Sequence, residues 1–350
     1  MWKALIRFLW PEKIFSSKSA QNPPPPVWEA PLQFEKENTQ VIDLDVDEAF
    51  LGLVLDVHLF LDISLNLFEK KTLEHIDLLL TSEVFNDRTL PRLPAVVPQL
   101  LSSLKNDDAS GKNLADQISR DPVLVGEVIR LANSAFYQTG TKINSLQRAV
   151  VLLGRTGLQR LIANVVMKPI FNIHEGHFGH LAVNYLWSQS ERCAHACAYL
   201  AKGRFDAFDA YLAGIVCNIG MIVAIRIMDH LRTGRETPRS IAFYQAMLLK
   251  TRQLSFRIAE NWQFPPSVLS ALKELAVLDQ TPDMAKLSGT LYAANQLSQL
   301  RVLVDENRLD DDIDQLNRRL GGQLTLGGQL TEHCARCFAE LKRLSESHNR

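Results

Sequence analysis

Apolar residues in this chain recur every three or four positions over long stretches, and nowhere every two for long enough to build a sheet. Asp121-Pro122 reads as a helix start, Asp as the cap and Pro at the first helical position. Leu124, Val125, Val128, Ile129 and Ala132 follow at helical spacing. Ser145 is read as the cap of a second helix with Ala149, Val150 and Leu153 inward. Gly154-Arg155-Thr156-Gly157 then turns the chain into a third, with Leu158, Leu161, Ile162 and Val165, stopped by Pro169. The same pattern predicts helices over Val183 to Leu200, Asp206 to Met228, Pro238 to Lys250, Leu254 to Trp262, Ser267 to Leu278 and Pro282 to Leu300. The fold class is all-α.

The flanks have a different character. Residues 1–15 place Trp2, Leu5, Ile6, Leu9 and Trp10 on one face of a short helix, with Lys3 and Arg7 off that stripe. Such a face suits a membrane surface, a partner, or the chain's own domain. Residues 16–40 read as a linker, because Pro23 to Pro26 favour extended polyproline II. Residues 41–88 form a small helical segment, with apolar patterns in Asp47 to Leu61 and Leu65 to Leu80. The main helical domain spans 89–300. Residues 301–350 combine an acidic stretch, a twice-repeated Leu-Gly-Gly-Gln-Leu at Leu320 to Leu324 and Leu326 to Leu330, and a last amphipathic helix.

Charge and cysteine use narrow the setting. A net charge of −1 gives no global basic field, so nucleic acid is not the expected partner. Five cysteines in 350 residues argue against a disulfide framework and for a reducing cytoplasm. The apolar run Ala210 to Ile225 contains Asn218 and two glycines and ends in Arg226, so it reads as a buried helix rather than a membrane span.

Three clusters invite a chemical reading. His174, His177 and His180 could offer imidazoles to zinc, but Gly176 and Gly179 argue for a polar loop. Cys334 and Cys337 form one CxxC without the second pair that a structural zinc needs, and they sit in a helical pattern. Cys193 and Cys197 share one helix face with Ala194 and Ala196 between them, as close helix packing requires. Phosphate-binding glycine loops and the Gly-x-Ser-x-Gly elbow are absent from the sequence.

Several phrases together resemble the bacterial HDOD domain, the HD-related output domain. Leu90-Pro91-Arg92-Leu93-Pro94 is similar to its LPxLP opening. Ile118 to Tyr137 resembles its signature, in which an Asp121-Pro122 helix ends in the corner Leu131-Ala132-Asn133-Ser134-Ala135-Phe136-Tyr137. Ile143 to Gly154, including Ser145, is similar to the family helix that follows, and Trp262 to Pro265 resembles its Trp-x-Leu-Pro step.

The resemblance implies a helical fold akin to the HD phosphohydrolases, whose His and Asp side chains hold divalent metals. Matched residue by residue, Gln189 stands at the first His, Cys217-Asn218 at the His-Asp pair, and Asn295 at the last Asp. No His occurs near Leu275 and Ala276. Neutral amides and one thiol cannot replace charged donors for a hard cation, and without the metal no water is activated against a phosphoester. The expectation is therefore a non-catalytic bacterial signalling module with no metal and no cofactor, working through a protein partner. A small regulatory ligand and peripheral inner-membrane contact through Trp2 to Trp10 belong to the same expectation, and the alternative is a cryptic metal-dependent phosphohydrolase or a nucleotide-sensing HD-like protein.

Overall fold

The computed structural model describes residues 44–81, 118–119, 122–133, 143–171, 176–277, 282–283, 285–312 and 332–348. The predicted helix in residues 1–15, the linker, the Leu320 to Leu330 repeat, His174, Leu90, Pro91, Pro94, Asp121 and Ser134 lie outside them. The described residues are helical throughout, apart from turns and one isolated bridge between Leu61 and Ser240.

The chain opens with α1 (Val46–Leu55) and α2 (Leu67–Thr81). Asp45 caps α1 by accepting from the Glu48 amide, and α1 stops at Asp56, whose left-handed φ of 55° reverses the chain. That stop comes six residues earlier than the apolar pattern predicts. The extended stretch after it pairs with the segment around Ser240: the Leu61 amide donates to Arg239 O, and the Ile241 amide to Leu61 O.

Next come α3 (Pro122–Ala132) and α4 (Leu146–Phe171), which pack on each other. Gly154, at φ 60° and ψ −177°, kinks α4 where two helices were expected. Pro169 does not stop α4, because a proline near a helix end removes only one bond from its last turn. The Ser145 hydroxyl donates to Gln147 Oε1 at 2.9 Å, while its carbonyl accepts from the Ala149 amide.

The central element is α5 (His177–Leu200), which starts six residues before the sequence reading placed it. A carboxylate from a distant helix explains this. Asp229 accepts from the Phe178 and Gly179 amides, both at 2.8 Å, and so caps α5 from outside its own sequence neighbourhood. Gly176 precedes the helix at φ 85°, so His177 and His180 belong to the first turn of α5 rather than to a loop.

The apolar run 207–231 forms two helices, α6 (Ala207–Val216) and α7 (Ile219–Leu231), broken at Cys217-Asn218. Taken together it is long and apolar enough to cross a membrane, and 83% of its most apolar window is buried inside the fold. Residues 241–261 form one helix, α8 (Ile241–Asn261), not two, since no breaker interrupts Thr251-Arg252-Gln253. Ser240 caps it by accepting from the Phe243 amide. Then follow α9 (Pro266–Leu275), α10 (Leu287–Asp305) and α11 (Glu332–His348).

The packing centres on α5, which lies against α6, α10, α7, α1 and α11. The outer segments share that core. Val54, Leu55 and Ile76 from α1 and α2, and Cys334, Cys337, Phe338 and Leu341 from α11, are all buried. Asp47 ties α1 down, its Oδ2 accepting from Arg252 on α8 and Gln296 on α10, both at 3.0 Å.

Candidate functional site

The break between α6 and α7 lies against the middle of α5 and of α10, and four side chains converge there. Gln189 is fully buried on α5 and Asn295 nearly so on α10, while Cys217 and Asn218 supply the junction. Gln189 Nε2 donates to Asn295 Oδ1 and to Ser298 Oγ, both at 2.8 Å. Asn218 Nδ2 donates to Gln189 Oε1 at 2.6 Å and to Asn295 Oδ1 at 2.9 Å. Residues separated by more than a hundred positions thus form one closed hydrogen-bonded cluster.

Two further members have no counterpart in the sequence reading. Ser298 accepts from Gln189 and donates to the Asn295 carbonyl at 2.7 Å, and Ser190 donates to Gln189 Oε1 at 3.4 Å. Ser298 stands three residues after Asn295, so helical spacing alone puts the pair on one face. That was the available signal.

The sulfurs near this cluster are buried. Cys217 Sγ donates to Gly214 O at 3.2 Å and lies 3.7 Å from Cys193 Sγ. Burial pushes the Cys193 thiol well above its ordinary pKa, and the neighbouring Cys217 adds to this; burial does the same to Cys197 and Cys337. All five cysteines are buried and unbridged. Cys334 and Cys337 sit at the seam of α11 with α5, where packing is their evident role.

The site does not fit a divalent metal. HD-type chemistry requires imidazole and carboxylate donors, and this cluster offers carboxamides whose NH₂ groups already point at each other's oxygens. Among the described residues, no group of three or more His, Cys, Asp or Glu side chains is placed to hold a metal ion. His177 and His180 are exposed on α5 and not part of the cluster. Desolvation, with Arg232 close by, holds the His177 imidazole below its usual pKa.

The signature residues have a separate task. Asn133 Nδ2 donates to Ile129 O at 2.8 Å and to Ile143 O at 2.7 Å, and its Oδ1 accepts from the Ile143 amide at 2.8 Å. One side chain therefore ties the end of α3 to Ile143, just before α4. Ala132 beside it is buried. Pro122 opens α3, and Leu131 lies in its last turn.

Residues 90–276 match the family described as the HDOD domain. The chain belongs to the HDOD family. Among solved structures, an HDOD domain protein of unknown function from Geobacter sulfurreducens aligns with a TM-score of 0.54 and 20% identity, covering 79% of this chain and 96% of its own. A candidate metal-dependent phosphohydrolase from Shewanella amazonensis SB2B aligns with the same TM-score and identity, covering 79% of this chain and 98% of its own. At such identity these likenesses concern the fold alone. An uncharacterized protein of Treponema pallidum (strain Nichols) is 23% identical over 217 residues, 59% of this chain, and this HDOD chain spans 41% of that relative's length.

Proposed function

We propose that this HDOD chain is a non-catalytic signalling module that works by binding a protein partner. The observation that carries the reading is the amide cluster of Gln189, Asn218 and Asn295 with Cys217, at the positions where the resemblance to HD phosphohydrolases puts metal ligands. Those side chains satisfy one another, so the scaffold keeps its helices together at that point without a cation. A fold freed from catalysis retains a stable surface on which a partner can dock. Such a module would act in the cytoplasm, and its balanced charge gives no global basic field to recruit nucleic acid.

The test is direct. The purified full chain should carry well below one equivalent of transition metal by plasma mass spectrometry. It should also show no turnover of bis(p-nitrophenyl) phosphate with Mn²⁺ present in large excess over protein. A protein partner recovered by crosslinking from the native cell should remain bound after chelator treatment. Stoichiometric metal with turnover that chelator abolishes would establish the phosphohydrolase alternative instead.

A further inference from the structure

The connection between α1 and α2 carries an apolar edge that the described fold leaves bare. Leu59, Leu61 and Ile63 are 65%, 42% and 48% exposed, and Leu67 at the start of α2 is 68% exposed. The alternation is that of an extended chain: Phe60, between the first two, is buried against Tyr244, while its neighbours point outward. The bridge to Ser240 holds the stretch in place, so the edge is a fixed surface feature. Clustered large apolar residues of this kind mark contact surfaces, whereas single ones do not. Two exposed carboxylates, Asp56 and Asp62, flank them.

We propose that residues 1–15 of the same chain dock on this edge. Their sequence supplies the complementary chemistry, with Trp2, Leu5, Ile6, Leu9 and Trp10 on one helical face and Lys3, Arg7 and Lys13 against the single Glu12. A helix this short is marginal in water until it packs on something. The tether places it within reach. A tether the length of residues 16–43 reaches about 87 Å at the rise of polyproline II, whereas α1 itself is only about 15 Å long. Slack of that size holds the segment near the edge at an effective concentration of roughly millimolar. The proposal is independent of whether the amide cluster is catalytic.

Zero-length carbodiimide crosslinking of the full chain, followed by peptide mass spectrometry, tests it. The expected products join Lys3 or Lys13 to Asp56 or Asp62 in the monomer band. They should fall about tenfold (about 1.4 kcal/mol of docking energy) in Leu61→Glu and in the Leu5→Glu, Leu9→Glu double variant. Leu61 is a surface residue by its exposure, so circular dichroism should be unchanged. The native pairs Lys250 with Asp77 and Lys342 with Asp311 should link in every sample and serve as the internal control. Absence of the expected links while those controls form overturns the proposal. Links confined to a dimer band also overturn it and assign the edge to a second copy. Sedimentation of the full chain with phosphatidylcholine–phosphatidylglycerol vesicles, without the monomer links, overturns it in favour of a lipid surface.

Discussion

Replacing Asn218 by Asp changes one atom and inverts the electrostatics of the cluster. The Asn218 amide donates to two carbonyl oxygens, at 2.6 Å and 2.9 Å. A carboxylate there donates to neither and faces both. Each lost bond costs about 1 kcal/mol net, and neither acceptor is orphaned, because Gln189 Oε1 keeps the Ser190 hydroxyl and Asn295 Oδ1 keeps Gln189 Nε2. Repulsion between the carboxylate and the two carbonyl dipoles adds about 1 kcal/mol more, since Asn218 is only partly buried and water screens it. The expected loss is about 3 kcal/mol at pH 8.

The pH dependence separates this mechanism from simple loss of packing. The environment disfavours the ionised form, so the folded-state pKa of the new carboxyl is raised above its unfolded value near 3.9. A group raised in this way retains its stability below the unfolded pKa and loses it as pH rises through the folded pKa. Near pH 3, below the unfolded-state pKa, the neutral carboxyl donates once, and the deficit against wild type shrinks to about 1 kcal/mol. Asn218→Ala removes the two bonds without a charge and should cost about 2 kcal/mol at both pH values. Urea unfolding of the three proteins at pH 3 and pH 8 (roughly one unit below the unfolded-state pKa and well above the raised folded-state one) provides the assay. Equal deficits for the two variants at both pH values, or an Asn218→Asp deficit within about 0.5 kcal/mol of zero at pH 8, would refute the reasoning.

Other consequences are as direct. A Cβ on Gly214 would stand 2.6 Å from Ala194 Cα and 2.7 Å from Cys193 O, so Gly214→Ala should wedge α6 off α5 at a cost of about 3 kcal/mol, read as a lower urea midpoint. Asn133→Ala should cost about 2 kcal/mol and speed hydrogen exchange at the Ile143 amide, whose partner it removes. Native protein at pH 8 should leave all five thiols unmodified by a maleimide within minutes, and unfolded protein should expose all five, because all five are buried in the fold.

The all-α class was legible because helical periodicity is a local property, repeated along the whole chain. So was the membership of Gln189, Cys217, Asn218 and Asn295 in one set of positions, through phrases whose flanking residues match the family. Their hydrogen bonds were not legible. Whether Gln189 meets Asn295 depends on how α5 packs against α10, and no spacing within either helix contains that distance. Helix boundaries failed for the same reason. His177 and His180 read as loop because of Gly176 and Gly179, and the cap that starts the helix there proved to be Asp229, about fifty residues downstream. The split of residues 207–231 into α6 and α7 was equally hidden, since Asn218 and two glycines interrupt the run without a proline to mark a helix end.

What the sequence determined by itself is the helical class, the family signature and the chemical nature of the side chains at the four positions, all written in residue identity and short-range spacing. What only the tertiary structure decided is that those side chains close on one another, that α1, α2 and α11 share the central core, and that Leu59, Leu61, Ile63 and Leu67 are left outside it. Burial and hydrogen-bond partnership arise between segments remote along the chain, and the free energy that selects them exists only once those segments have packed.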